Sequence, residues 1–152
     1  MSSEQPSVKF PRWVPIVFLL TSLVGFADST YLTVKHYSGT PLECTVFRDC
    51  EKVTSSSYAV VGGVPLALYG TVYYLVVFLL SVGYLDLGIG TIIKTAARIT
   101  LIGFGASIVF VYLQLAVIKA VCPYCMVSAA TSTILFLSAL AVPGAIPLIG
   151  RR

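Results

Sequence analysis

Apolar residues fall into four long, nearly uninterrupted runs that are separated by shorter polar stretches. Each run is close to the roughly 20 residues that a helix needs to cross about 30 Å of hydrocarbon. Because unpaired backbone N–H and C=O groups are costly in lipid, each run is predicted to form a transmembrane helix. The predicted spans are Trp13–Val34, Val64–Leu85, Ile99–Ile118 and Pro123–Val142. The expected fold class is therefore all-α, an integral membrane four-helix bundle with a cysteine-bearing outer loop.

Composition supports a membrane protein of one domain. The chain has 152 residues, of which 57% are hydrophobic and only 11% are charged, which is outside the range of soluble domains. We expect a polar lead over residues 1–12, a single four-helix domain over 13–149 and a basic tail over 150–152. The ten basic residues are scattered at helix ends without a stripe, so the net charge of +4 does not indicate nucleic-acid binding.

Basic residues are distributed unevenly between the two ends of the predicted bundle. Six lie at the end that carries both termini, and four lie at the other end, mixed with acidic residues. The six are Lys9, Arg12, Lys94, Arg98, Arg151 and Arg152, and the four are Lys35, Arg48, Lys52 and Lys119. The positive-inside rule then predicts a multi-pass protein of the cell membrane with cytoplasmic termini and outward-facing cysteines. Disulfides persist outside the cell, which agrees with this orientation.

The four cysteines form two pairs that two predicted membrane crossings separate. Cys44 and Cys50 follow the first span, and Cys122 and Cys125 open the fourth with a CxxC motif. An even number of crossings places both pairs on the same side of the bilayer. The N-terminus of the fourth helix favours a thiolate, which attacks a disulfide or an electrophilic ring. Two dithiols at one membrane surface indicate an electron relay from a thiol donor to an acceptor dissolved in lipid.

The residues alone leave two other interpretations of the cysteines open. The bridges could be structural staples in a non-enzymatic tetraspan membrane protein. The four thiols could also bind zinc, although zinc ribbons prefer two CxxC knuckles.

Several polar residues are candidates for a role that the sequence does not assign. Asp28 is the one ionisable residue inside a predicted span, and His36 is the one histidine. Gln114 lies about two helical turns before Cys122 and either bonds to another helix or faces a pocket. The serine run 55–57 either caps a short helix over Glu51–Tyr58 or donates a hydrogen bond to a carbonyl substrate.

The order of these motifs resembles the vitamin K epoxide reductase family, in particular its prokaryotic homologues without a fused thioredoxin-like domain. The matching segments are Asp28–His36, Cys44, Cys50, Val53–Ser56, Gly63–Gly70 and Cys122–Cys125. The resemblance implies a membrane thiol–quinone oxidoreductase that reoxidises a separate thioredoxin-like (DsbA-like) protein and supports disulfide bond formation. Electrons would pass through the two cysteine pairs to a quinone of the menaquinone or ubiquinone type.

The resemblance also implies a role for each site residue. Cys44 would take electrons from the partner, and Cys50 would exchange with Cys122. Cys125 would attack or stack against the quinone ring, and Ser56 would face a quinone oxygen. The four cysteines are thus the predicted catalytic residues, Ser56 and Cys125 the predicted quinone-binding residues, and no metal ligand is expected.

The sequence departs from the family pattern at three places. Ala129 stands where the vertebrate enzymes have a tyrosine, and Gly62-Gly63 replaces their asparagine. Both departures argue against epoxide reduction. Many bacterial members carry a thioredoxin-like domain after the fourth helix, whereas this sequence ends at Arg152, so a separate partner is expected.

Overall fold

The computed structural model describes residues 10–42, 44 and 50–145 and is almost entirely helical. Its helices are α1 (Trp13–Ser38), α2 (Cys50–Thr54), α3 (Leu66–Leu87), α4 (Gly90–Tyr112) and α5 (Pro123–Ala139). A 3-10 turn, Ser57–Ala59, follows α2, and a π-helical segment, Leu113–Ile118, extends α4. The predicted all-α fold with four long helices is confirmed.

The four long helices form a closed ring in which each packs against two neighbours. Helices α1 and α4 each pack against both α3 and α5. Three of the four are long and apolar enough to cross a membrane: α1 with 26 residues, α3 with 22, and α4 together with its π-helical extension with 29. Helix α5 is apolar and has 17 residues, which is the lower end of the spanning range. The chain therefore has the architecture of a membrane protein.

Helix boundaries differ from the predicted spans at the polar ends. The third helix begins at Gly90, nine residues before the predicted start at Ile99, because a helix continues beyond the hydrocarbon where its residues are polar. Arg98 is inside this helix, where its Nε donates to the Ala145 carbonyl at 3.1 Å. The polar lead before Phe10, the basic tail 150–152 and Arg48 lie outside the described residues.

A short β-hairpin before α3 was not predicted. Strands β1 (Val60–Val61) and β2 (Val64–Pro65) pair antiparallel, with Val61 opposite Val64. Gly62 and Gly63 between them have φ values of 62° and 81°. A two-residue hairpin turn of type I′ needs positive φ at both central positions, which glycine adopts without strain. The Gly-Gly pair therefore folds the chain back and delivers it to the start of α3.

The bundle interior combines an apolar core, which includes Phe18 and Leu135, with small polar residues, and many other large apolar side chains face outward. Ser22 and Ser81 are fully buried, whereas Ile102 is 74% exposed. Most of the buried serine and threonine hydroxyls bond to their own helix, as in the 2.7 Å bond from Ser81 Oγ to the Val77 carbonyl. This arrangement suits lipid, where internal polar groups must be paired within the protein and small residues allow helices to approach closely.

Candidate redox site

Both cysteine pairs meet in one buried cluster at one end of the bundle. Cys50 and Cys122 are each fully buried in a cluster with Val53 and Ala120, and Cys44 and Cys125 pack against it. The segment before α2 supplies one pair and the start of α5 supplies the other. This packing places both pairs at the same end of the bundle.

The two pairs are in different redox states. Cys44 and Cys50 form a disulfide with a Cα–Cα distance of 6.2 Å, whereas Cys122 and Cys125 are free thiols. Cys44 is partly exposed, and Cys50 is buried beside Cys122. One sulfur of the disulfide is therefore accessible from outside the bundle, and the other lies next to the CxxC pair.

The contacts of Cys122 at the start of α5 lower the pKa of its thiol. Cys122 is the N-cap residue, and Pro123 occupies the first turn, where its missing N–H leaves no bond unmade. A hydrogen bond from the Cys125 thiol, aided by the backbone N–H groups of residues 124 and 125, lowers the pKa of Cys122 to about 7. Burial and the negative charge of Asp28 act on this pKa in the opposite direction. Cys122 is thus suited to be a nucleophile and a leaving group near neutral pH.

A cavity of about 280 Å³ opens between the four helices beside the CxxC motif. Cys125 lines it, whereas Cys122 does not. Apolar side chains such as Leu32, Leu66 and Phe110 form much of its wall. Its size and mainly apolar lining with a few polar groups are typical of a site for a small organic molecule.

Most hydroxyls that line the cavity are already used as donors to backbone carbonyls. The donor–acceptor pairs are Ser29 to Gly25, Thr54 to Cys50, Ser56 to Val53, Tyr74 to Ser128 and Ser107 to Gly103. Within the described ranges, the buried hydroxyls of Tyr73 and Ser132 lack a partner. A ligand in this cavity therefore meets few free hydrogen-bond donors.

Ser56 lies on the cavity wall with Cys125. Its Oγ donates to the Val53 carbonyl at 2.7 Å. Because a hydroxyl has a single donor hydrogen, Ser56 in this arrangement can only accept a hydrogen bond from a ligand. Ser56 therefore lies at the cavity, but its hydroxyl hydrogen is not available to a ligand there.

Gln114 satisfies both alternatives that its position suggested. Its Oε1 accepts a hydrogen bond from the Cys122 N–H at 3.0 Å, and the residue also lines the cavity. His36 also lines the cavity and has an exposed side chain. Asp28 lies on α1 with one buried carboxylate oxygen, Oδ2, that has no partner among the described residues.

The sequence did not single out Tyr74, which ties two helices together beside the cavity. Its hydroxyl bonds to the Ser128 carbonyl at 2.6 Å and to Thr131 Oγ1 at 2.8 Å. Gly25 of α1 leaves the space in which this ring lies, because a Cβ there would overlap it. A glycine in one span and a tyrosine in the next were visible in the sequence, but their pairing depends on how the helices rotate.

The described part of the chain contains no group of three or more His, Cys, Asp or Glu side chains arranged to hold a metal ion. Two of the four thiols are joined to each other. The site therefore presents one disulfide and one dithiol.

Comparisons with known proteins agree with the cysteine arrangement. The chain is similar to the thiol-disulfide oxidoreductase LTO1 of Arabidopsis thaliana, with 38% identity over 120 residues. The aligned region covers 72% of this chain and 31% of that relative, so the chain spans about a third of the relative's length. The model of the vitamin K epoxide reductase family matches residues 16–140. Since this match covers well over half of the sequence and includes all four cysteines, the chain belongs to the vitamin K epoxide reductase family.

Proposed function

We propose that the protein is a membrane thiol–quinone oxidoreductase that reoxidises a thioredoxin-like (DsbA-like) protein. The observation that carries the proposal is the cluster in which a disulfide, Cys44–Cys50, packs against a free dithiol whose Cys125 also lines an apolar cavity. Family membership and the name of the Arabidopsis relative support thiol chemistry. The electron acceptor, the partner and the orientation with cytoplasmic termini belong to the proposal.

The first step is exchange between the partner and the loop disulfide. A thiolate of the reduced partner attacks Cys44, the partly exposed sulfur, and Cys50 leaves as a thiolate. The second partner thiol then displaces Cys44 and leaves the partner oxidised. The products are a partner disulfide and two thiols on this chain, so two electrons have moved to Cys44 and Cys50.

The second step passes these electrons inward. When Cys122 and Cys125 are joined, the Cys50 thiolate attacks Cys122 and Cys125 leaves. Cys44 then attacks Cys50 of the mixed disulfide, expels Cys122 and restores the Cys44–Cys50 bridge. The lowered pKa of Cys122 makes it a good leaving group. The described state, with a closed loop bridge and an open CxxC pair, is the product of this step.

The cavity fits a quinone head group by its size and its apolar wall. A bound quinone supplies a two-electron, two-proton acceptor. Cys125, at the wall of the cavity, is the sulfur that delivers the electrons, and Cys122 completes the disulfide as both thiols lose their protons. The apolar lining excludes water from these thiols.

The test is quinone reduction by a reduced thioredoxin-like protein in lipid nanodiscs. We expect turnover by the wild type and none by Cys125→Ala. When the Cys50→Ala variant is mixed with the oxidised partner, the Cys44 thiolate should attack the partner's disulfide, release one partner thiol and form a mixed disulfide through Cys44. The matched control is Val127→Ala, on the exposed face of α5, which should keep full turnover. Full turnover by Cys125→Ala would instead favour a structural role for the cysteines.

A further inference from the structure

We propose that Gln114 is a two-sided residue of the quinone site: Oε1 positions Cys122, and Nε2 donates a hydrogen bond to a quinone carbonyl. This inference rests on the proposed function, because it names a residue that binds the proposed electron acceptor. It starts from the end of α4, where the regular helix widens into the π-helical segment Leu113–Ile118. Single π turns inside α-helices frequently occur at functional sites.

The first side of Gln114 holds the turn that leads into the CxxC motif. Its backbone carbonyl accepts the Ala120 N–H at 3.0 Å, and its side-chain Oε1 accepts the Cys122 N–H at 3.0 Å. Lys119, which immediately precedes Ala120, adopts a left-handed conformation with φ of 53°. Two bonds from one residue therefore fix the chain over the few residues that connect α4 to the N-cap of α5.

The bond to Cys122 replaces one that α5 cannot make for itself. In a capping box, a Glu or Gln at the third helical position bonds back to the N-cap N–H. In α5 that position is Cys125, whose side chain is committed to redox chemistry in the proposed function. Gln114 supplies the missing acceptor from the neighbouring helix, which leaves the thiol of Cys125 free.

The second side of Gln114 faces the cavity. Since the Cys122 N–H is a donor, the side-chain atom that meets it must be the oxygen, and this fixes the amide orientation. Nε2 then has no acceptor in the part of the chain that the structure describes, and it is not sealed off like the hydroxyl of Tyr73. The residue as a whole is only 3% exposed and lines the cavity with Cys125. Its amide hydrogens are therefore available to a ligand in the cavity.

Several hydroxyls on the cavity wall do not compete with Gln114 for a ligand carbonyl, because they already donate to backbone carbonyls. Ser56 and Ser107 both donate to backbone carbonyls of their own segments. The hydroxyls of Tyr73 and Ser132, which have no partner among the described residues, remain as other donors on the wall. Gln114 contacts Cys122 directly, and both Gln114 and Cys125 line the cavity. A carbonyl bound by its Nε2 would be held beside the sulfur that delivers electrons, and the hydrogen bond would draw charge toward the carbonyl oxygen.

Two substitutions separate the two sides of the residue. Gln114→Glu, assayed at a pH high enough to ionise this buried carboxyl group, keeps an acceptor for the Cys122 N–H but has no hydrogen to donate. Gln114→Met has a similar length and loses both functions. Leu115→Ala is the control, because Leu115 follows Gln114 in the π-helical segment, is exposed and does not line the cavity.

The binding half is tested with a short-chain naphthoquinone labelled at its carbonyl carbons. We expect the dissociation constant, measured by calorimetry in nanodiscs, to rise about threefold to tenfold in both Gln114 variants and to stay unchanged in Leu115→Ala. In the infrared spectrum of the wild-type complex, one carbonyl band should shift to lower frequency, and the shift should disappear in Gln114→Glu. An unshifted carbonyl in the wild type, which needs no variant to fold, would overturn the binding half.

The positioning half is tested in a Cys44→Ala/Cys125→Ala background, where Cys50 and Cys122 are the remaining thiols. We expect diamide to join them more slowly in Gln114→Met than in the parent, and Gln114→Glu to recover part of the rate. Equal rates in all three would refute positioning by Gln114. If the wild type neither binds nor reduces the quinone, the proposed function fails; if it does both and the Gln114 variants match it, this inference alone fails.

Discussion

The acidity of Cys122 gives a sharp test of the site because its main cause is one neighbouring thiol. The Cys125 hydrogen bond is the largest contribution that lowers the pKa of Cys122 from 9.0 to about 7. Because the pKa is lowered, the thiolate appears as the pH rises through about 7 and is lost below it. At about pH 6 the thiolate fraction is roughly 9% instead of roughly 0.1%, a gain of about 90-fold. Reduced intrinsic nucleophilicity takes back about eightfold of this, so the net gain in reactivity is about tenfold.

The perturbation is Cys125→Ala, compared with Cys125→Ser. Serine keeps a hydroxyl that donates to the Cys122 sulfur, whereas alanine removes the donor. With Cys44 and Cys50 joined, Cys122 is the one thiol left in either variant, and its S–H stretching band can be followed by infrared spectroscopy although the residue is buried. We expect a midpoint near pH 7 in the serine variant and a clearly higher one in the alanine variant. Equal midpoints would show that the Cys125 hydrogen bond is not the cause.

Three further predictions address the scaffold and its charges. Gly25→Ala places a Cβ inside the ring of Tyr74 and should lower the unfolding free energy by about 1–3 kcal/mol in detergent, whereas Gly105→Ala, with open space around it, should have little effect on the same melting curve. Lys119→Gly relieves a left-handed conformation and should raise stability by about 1 kcal/mol; an unchanged or lower melting temperature would contradict this. Asp28→Asn removes a negative charge that raises the pKa of the Cys122 thiol. The midpoint of the Cys122 S–H titration should therefore shift to lower pH, and a shift to higher pH would refute this prediction.

The sequence by itself determined that this is a membrane protein, how many long helices it has, and that both cysteine pairs lie at one end of the helical bundle. These follow from short-range physics, because a run of about 20 apolar residues has one economical conformation in lipid. Counting the crossings between Cys50 and Cys122 is then enough to place both pairs at the same end. Helix ends were less well defined, as the early start of α4 at Gly90 shows, because the hydrophobic pattern stops where the hydrocarbon ends and the helix need not.

Only the tertiary structure decided which polar groups face the cavity and which are already bonded. Ser56 and Gln114 are both polar residues near cysteines in the sequence, yet the Ser56 hydroxyl donates to its own segment while the Gln114 amide bonds to Cys122 and faces the cavity. The placement of Gln114 depends on the π-helical turn and on the way α4 packs against α5. Successive residues of a helix lie about 100° apart around its axis, so a shift of one residue would turn the Gln114 side chain away from Cys122. The local sequence does not specify this rotation of the helix. It is set by the fit of side chains between neighbouring helices.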